Sequence, residues 1–443
     1  MTLHFGTDGM RGVANRELTP SIAFGIGRYL GHGLGKRNKI LVGQDTRLSS
    51  PMLEAAIVAG LLSSGAEVKR LGVIPTAMIS YLMGNDLSID YGIMISASHN
   101  PFPDNGIKVL CRGGEKLPTS LEKEIEAFLD GTDNLPLPEG DGLGRLEGGE
   151  DEKASFVSYV SGLVDVKKAA PRVLLDCANG SDSYYAKRIF EAWGCDVTAI
   201  NDTPTGTNIN SACGSTHLES LRAAIKNGNY DLGFAFDGDA DRVMGMTGEG
   251  RLIDGDTQVF MKALMLKKAC KLPSNTIVLT PMSNLGLVEA LAEEGIKTEE
   301  VGVGDRNIQL RLVENGYILG AEPSGHVIHK DLLPTGDGMI SASQVVKCFA
   351  EDKETFEKAV SFFRYPHYLY NIRFADRLAA EEGMKNPIFL DKKAAYEQSL
   401  SGRGRLYLRA SGTEPLLRIY VEAVTEEEAK SVALDLASPF KEE

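Results

Sequence analysis

The apolar run Leu232–Phe236 ends, without a spacer, in Asp237-Gly238-Asp239-Ala240-Asp241-Arg242. A segment so short and so uniformly apolar reads as a strand buried on both faces, in a sheet covered by helices. Charges that follow such a strand collect at the end of the sheet, where open α/β sheets bind ligands. Three carboxylates at period two put a formal charge of −3 on one tight loop. Without a cation, that loop would repel itself and its carboxylate pKa values would rise. Oxygen donors with no His or Cys call for a hard cation, Mg²⁺ or Ca²⁺. An EF-hand fails, because counting from Asp237 puts Arg242 at position six and Gly248 at position twelve. An aspartyl-phosphate phosphatase, whose nucleophile also follows a strand, stays open from this loop alone. Mg²⁺ keeps waters and binds phosphate oxygens, so a phosphoryl group is the natural further partner.

The same pattern recurs along the 443 residues, a length that predicts about three domains. Lys39–Val42, Val68–Leu71 and Tyr91–Ile95 read as strands, and Pro51–Ser64 reads as a helix. Ser50 is its expected N-cap, Pro51 its first residue and Gly65 its stop. Gly131–Glu152, poor in apolar residues, reads as a hairpin loop or linker. A second α/β unit comprises Arg172–Asp176, Tyr184–Trp193, Asp196–Ile200, Leu218–Lys226 and Leu232–Phe236. A third holds Thr276–Thr280, Leu287–Glu294 and the helix Gly338–Phe349. After about Tyr365, the strands Leu406–Leu408 and Leu417–Val421 precede a helix opened by a capping box at Thr425–Glu428, the texture of an α+β domain. The expected boundaries are 1–150, 151–250, 251–364 and 365–443.

Tyr91–Ile95 leads into Ser96-Ala97-Ser98-His99-Asn100-Pro101 and then Asp104-Asn105-Gly106-Ile107-Lys108. The prolines stiffen this loop, and His99 and Lys108 lie near a hydroxyl that needs a base or cation to act as a nucleophile. Taken alone, the segment reads first as a capped turn, with Ser and Asn satisfying backbone groups. No G-x-S-x-G elbow supports a hydrolase triad. Arg409-Ala410-Ser411-Gly412-Thr413-Glu414-Pro415, followed by Arg418, combines hydroxyl, backbone and guanidinium donors suited to a phosphate. Glu322-Pro323-Ser324-Gly325-His326 offers a carboxylate, a hydroxyl and an imidazole suited to sugar hydroxyls. Arg11 sits in a glycine-rich N-terminal segment, and Gly302–Arg306 reads as a turn with an exposed Arg306.

A balance of 47 basic and 61 acidic residues gives a net charge of −14, which argues against nucleic acid or an anionic membrane as partner. The six cysteines form no C-x-x-C pair, so reduced thiols in a cytoplasmic protein are expected. The first residues lack the pattern of a signal peptide, and no apolar run approaches the ~20 residues that span a bilayer.

Taken in order, FGTDGMRG, ISASHNP with DNGIK, DGDADR, EPSGH and RASGTEPLLR resemble the α-D-phosphohexomutase superfamily, nearest its bacterial phosphoglucosamine mutase branch. The resemblance spans essentially the whole chain, and LVGQDTRLSS, NINSACGSTH, MSNLGL and TGDG share it. It implies three similar α/β domains with mixed, mostly parallel sheets plus a C-terminal α+β domain, arranged around a central cleft. It implies a phosphoserine at Ser98, with one Mg²⁺ held by that phosphate and by Asp237, Asp239 and Asp241. Arg11 and Lys108 would assist transfer, and His326 is a candidate base. Glu322 and Ser324 would hold sugar hydroxyls, while Arg409, Ser411, Gly412, Thr413 and Arg418 would hold the non-reacting phosphate. Arg242 and Arg306 join the substrate-binding set. The implied reaction interconverts glucosamine 6-phosphate and glucosamine 1-phosphate through a 1,6-bisphosphate, feeding UDP-N-acetylglucosamine synthesis. The alternative is a phosphoglucomutase or phosphomannomutase with the same chemistry. A small sugar phosphate is the implied partner, and a homodimer fits the family. Pro323 and Asn307 depart from the branch, which reads GEQSGH and places an aromatic after VGDR. A non-catalytic sugar-phosphate binder would have no need of the aspartate loop.

Overall fold

The strand Tyr91–Ile95 lies beside Lys39–Gln44, Glu67–Val73 and Arg145–Gly148, in that order and all parallel. On its other side Asp104–Cys111, Gly9–Val13 and Phe5–Gly6 continue the sheet antiparallel. This computed structural model describes residues 4–6, 9–33, 36–410 and 415–440. The strands hold because alternate residues reach one core: Ile40, Val42, Ile93 and Ile95 pack with Ile26, Leu30, Ile57 and Leu61 of the helices Pro20–Gly31 and Ser50–Ser63. Each such fully buried aliphatic contributes roughly 1.5–3 kcal/mol. The two helices touch backbone to backbone: a Cβ on Gly27 would lie 2.3 Å from the Ile57 carbonyl, and one on Gly60 2.2 Å from that of Phe24.

Three expectations in this region are corrected. Ser50 is inside its helix and Ser49 is the capping position, because the Ser50 hydroxyl donates to Asp45 (2.8 Å) instead. Within Gly131–Glu152, Arg145–Gly148 adds an edge strand to Glu67–Val73. Asp104–Lys108 is no loop but the first half of the strand Asp104–Cys111.

The second sheet runs Asp196–Ile200, Arg172–Asp176, Leu232–Phe236, Val243–Thr247, Leu252–Ile253. Its first three strands are parallel, and the rest turn antiparallel. Phe236 pairs with Val243, so Asp237–Arg242 is the loop of a hairpin. In the third region, Thr276–Leu279, Leu319–Ala321 and Val327–His329 lie side by side. Ala321 pairs with Val327, which makes Glu322–His326 a second hairpin loop. The helices Gly255–Lys268 and Gly338–Glu351 bury nearly their whole surface, and a further helix, Lys353–Ser361, follows.

The chain forms two units, Met1–Val278 with Gly304–Val360, and Leu279–Val303 with Ser361–Glu443. The second unit contains an antiparallel sheet with Leu416–Glu422 between His367–Arg373 and Arg405–Ala410. Leu417, Ile419 and Val421 pack with Ala429, Val432 and Leu436 of the helix Glu426–Leu436. Thr425 caps that helix, accepting from the Glu428 amide (3.2 Å). The Glu428 carboxylate pairs with Arg403, so the reciprocal half of the expected capping box is diverted. Two helices, Arg377–Gly383 and Pro387–Ser399, interrupt the expected run of strands. No helix is long and apolar enough to cross a membrane among the described residues.

Candidate active site

The strand Tyr91–Ile95 stops where Ser96 Oγ turns to donate to Asp45 (2.7 Å) while accepting from the Ser98 amide (2.9 Å). Ser98 is fully buried and left-handed, with φ 52°. For a residue with a Cβ that conformation costs of order 1–2 kcal/mol. Its Oγ donates to Asp237 Oδ2 at 2.5 Å, bringing the ends of two strands from two sheets together.

Asp237, Asp239 and Asp241 are buried, and their ligand atoms lie within 4.8 Å of one another. Among the described residues, no other group of three acidic, His or Cys side chains meets that geometry. Asp239 Oδ2 accepts from Thr76 Oγ1 (2.6 Å) and pairs with Lys108 Nζ (2.7 Å). Lys108 also reaches Asp241 Oδ2 at 3.0 Å. Asp239 Oδ1 and Asp241 Oδ1 have no hydrogen-bond partner despite burial. Two buried carboxylate oxygens without a hydrogen bond, within a group of three carboxylates, fit a hard cation. Burial, then Asp241 and Asp239, push the Asp237 carboxyl well above the usual range. Burial also acts on Asp241, but Lys108, His326 and Arg242 outweigh it and hold that carboxyl well below.

Arg11 and Lys108 share a sheet face. Met10 and Ile107 pair and enter the core, so their neighbours Arg11 and Lys108 point the other way. Arg242 places its backbone amide on Asp237 Oδ1 (3.1 Å) and its guanidinium 3.3 Å from His99 Nδ1. Burial, with help from Arg242 and Arg11, lowers the His99 pKa to about 4, so this ring is neutral. His326 lies between Asp241 (3.8 Å) and Asp305 (3.7 Å). Burial opposes its charge, yet those carboxylates outweigh burial and raise its pKa.

Glu322 Oε1 accepts from the Gly304 amide (3.0 Å), which orients the carboxylate, and Ser324 is exposed in the same hairpin loop. Arg306 departs from expectation: Asp305 and Arg306 open the helix Asp305–Asn315, and Arg306 is half-buried against Glu122 (2.7 Å) and the Leu117 carbonyl. In the second unit Arg409 and Arg418 are register partners, both exposed. Ser411, Gly412 and Thr413 lie outside the described residues.

Thr76 and Asp305 escaped the motif reading. Thr76 has a local signal, a hydroxyl opening the helix Thr76–Asn85 whose amide also donates to the Asp239 carbonyl (3.0 Å). Asp305 has none, since its partners Lys116 and His326 come from elsewhere in the chain.

Family models for phosphoglucomutase/phosphomannomutase match residues 2–135 (alpha/beta/alpha domain I), 154–250 (domain II), 254–365 (domain III) and 369–438 (C-terminal domain). The chain belongs to the phosphoglucomutase/phosphomannomutase family. It is a phosphohexomutase, an isomerase-class enzyme. Phosphoglucosamine mutases of Geobacillus kaustophilus and Shouchella clausii are 44% and 42% identical to it, each over 100% of this chain and 99% of the relative. A phosphoglucomutase/phosphomannomutase family protein from Burkholderia thailandensis shares the fold at TM-score 0.81 and 22% identity, covering 98% of both chains. An Aspergillus fumigatus N-acetylphosphoglucosamine mutase, solved with GlcNAc-6P and magnesium, shares it at TM-score 0.68 and 16% identity, covering 99% of this chain and 96% of that one.

Proposed function

We propose that this phosphohexomutase interconverts glucosamine 6-phosphate and glucosamine 1-phosphate through phosphorylated Ser98 and glucosamine 1,6-bisphosphate. The observation that carries the reading is the 2.5 Å contact between Ser98 Oγ and Asp237, a hydroxyl set on an acidic metal-type loop. The amino sugar rests on the full-length relatives named phosphoglucosamine mutase. Asp237, Asp239, Asp241 and the Ser98 phosphate would hold one Mg²⁺, and the lack of a hydrogen bond at Asp239 Oδ1 and Asp241 Oδ1 supports this. When bound, the ion would offset the phosphate charge and polarise the phosphorus for attack.

The sugar 1-hydroxyl oxygen forms the new bond to phosphorus as the Ser98 Oγ–P bond breaks. The hydroxyl proton passes to a base, for which His326 is the candidate, strengthened as an acceptor by its two neighbouring carboxylates. The bisphosphate then returns its 6-phosphoryl group to Ser98 Oγ as the O6–P bond breaks, and the freed 6-oxygen takes up the proton. Lys108 and Arg11, on one sheet face, stabilise charge on the moving group. Glu322 and Ser324 read sugar hydroxyls with Arg242 and Arg306, while Arg409, Ser411, Gly412, Thr413 and Arg418 grip the non-reacting phosphate. We place the enzyme in the cytoplasm, in keeping with its free cysteines, and the domain boundaries near 150, 250 and 364.

The test is kcat/KM with Mg²⁺ for glucosamine 6-phosphate, glucose 1-phosphate and mannose 1-phosphate. A preference of ~100-fold for the amino sugar, about 2.7 kcal/mol in transition-state binding, supports the assignment. Preference for an unaminated hexose would move the assignment to the phosphoglucomutase/phosphomannomutase alternative, with Pro323 and Asn307 as the first residues to exchange.

A further inference from the structure

We infer that Arg47 and Asn210 are positioning residues that hold Ser98 in its reactive backbone conformation by gripping its carbonyl oxygen. This rests on the reading of Ser98 as the phosphoryl carrier.

Arg47 is 1% exposed, and all five of its guanidinium N–H groups are committed. Nε donates to Asp45 Oδ2 (2.8 Å), forming a buried ion pair. Nη1 donates to the carbonyls of Pro101 (2.6 Å) and Asp104 (2.9 Å), and Nη2 to those of Ser98 (2.8 Å) and Asn100 (2.8 Å). One rigid fork therefore holds three carbonyls of the loop that carries Ser98 and a fourth at the start of the next strand, a task for which a lysine has too few fixed donors.

Asn210 comes from a different sheet region and donates through Nδ2 to the same two carbonyls, of Ser98 (2.9 Å) and Asn100 (3.1 Å). Asp45, the counter-ion of Arg47, accepts from Ser96 Oγ, which in turn accepts from the Ser98 amide. Both sides of the Ser98 residue are thereby fixed, its N–H through Ser96 and its carbonyl through Arg47 and Asn210. Left-handed backbone at a residue with a Cβ persists only where the surroundings over-determine it. Here they do, and the strained conformation (φ 52°) is the one that aims Oγ at Asp237. Among the described residues neither Arg47 nor Asn210 hydrogen-bonds to the three aspartates; Asn210 also lies beside Gly238 of their loop, and its two hydrogen bonds go to the Ser98 and Asn100 carbonyls.

The experiment uses the full-length enzyme with Arg47→Lys, Asn210→Gly and Ser98→Ala. Glycine tolerates the φ of 57° at position 210, so that variant removes the side chain without new strain. Measured are the melting temperature, kcat and KM with Mg²⁺, and the gain of one phosphoryl group by intact mass after incubation with hexose 1,6-bisphosphate. Misplacing a reacting atom by about 1 Å costs about 100-fold in rate. The expected result is a kcat loss of that order in folded Arg47→Lys, a smaller loss in Asn210→Gly, slowed phosphorylation in both, and an unchanged KM. Wild-type kcat in either folded variant overturns the inference, as does an equal change in kcat and KM. Should Arg47→Lys fail to fold, Asn210→Gly decides by the same criteria. Turnover by Ser98→Ala overturns the phosphoserine reading and this inference with it, whereas an inactive Ser98→Ala beside fully active Asn210→Gly overturns the inference alone.

Discussion

Ser98 Oγ and Asp237 Oδ2 stand 2.5 Å apart although 139 residues separate them in the chain. That contact joins the hydroxyl that would carry phosphate to the loop that would carry the metal, so removing the hydroxyl should abolish turnover and leave the loop intact. Ser98→Ala is expected to lose at least about 10⁴-fold in kcat, as removal of other covalent nucleophiles does. Mg²⁺ binding to the variant by calorimetry should survive, weakened by the missing phosphate. Measurable turnover in a phosphatase-free preparation would contradict the assignment.

Thr76 tests the surroundings of the metal loop. Its hydroxyl holds Asp239 Oδ2, the oxygen that Lys108 also reaches. Thr76→Val keeps the shape and removes the donor. The Mg²⁺ concentration for half-maximal activity should rise about 10-fold, within the range for lost outer-shell partners. Removal of metal with EDTA should stop both proteins, and added Mg²⁺ should restore both.

Arg418 tests the phosphate cradle. It is the register partner of Arg409, and both arginines are exposed on adjacent strands. Losing one charge-assisted contact of roughly 1.5–3 kcal/mol should raise KM about 10- to 100-fold in Arg418→Ala. The Mg²⁺ requirement should not move, and a lost metal response with unchanged KM would refute the cradle.

Asp337 gives a pH prediction. It caps the helix Gly338–Glu351 through Oδ1, accepting from the Ile340 amide (2.8 Å), while its buried Oδ2 has no hydrogen-bond partner. Burial outweighs the backbone hydrogen bonds and raises its pKa to about 7. The folded protein then keeps this proton where the unfolded chain has released it, so stability falls as pH rises from about 4 to 7 and levels off above. Asn caps as well as Asp and carries no charge. Asp337→Asn should therefore match the wild type in thermal unfolding near pH 4 and exceed it at pH 8 by about 2–4 kcal/mol. An equal offset at both pH values would show that Asp337 is not protonated at the lower one.

Where an apolar run is bounded by polar residues, the strand could be read directly. Tyr91–Ile95, Arg172–Asp176 and Leu232–Phe236 stand as expected, since burial of the run is enough to define the element; Asp196–Ile200 also stands, half-exposed and held by its parallel pairing with Arg172–Asp176. Arg145–Gly148 could not be read, because it is exposed throughout and exists only by pairing with Glu67–Val73. Asp104–Cys111 hid behind its polar start: Asn105 and Lys108 are buried by partners in other segments, Ser49 and Ser50 for the first and the aspartates for the second. Arg306 looked like an exposed turn residue because Glu122, 184 positions earlier, leaves no mark on the local sequence. The serine, aspartate and sugar loops were legible because each follows an apolar strand, and a polar cluster there has few structural reasons to exist.

From its sequence alone this protein declares its chemical inventory: a hydroxyl loop, a triad of carboxylates, a sugar-type hairpin and a pair of arginines, in an order that identifies the family. Local periodicity and residue type suffice for that, because burial of a short run and the charge of a loop depend on neighbours in the chain. Only the tertiary structure decides which of these groups meet. Asp237 lies against Ser98, Lys108 spans Asp239 and Asp241, and Arg47 gathers four carbonyls around the reactive residue. Those distances follow from how two sheets and their helices pack, a sum of many weak apolar contacts that no single motif records.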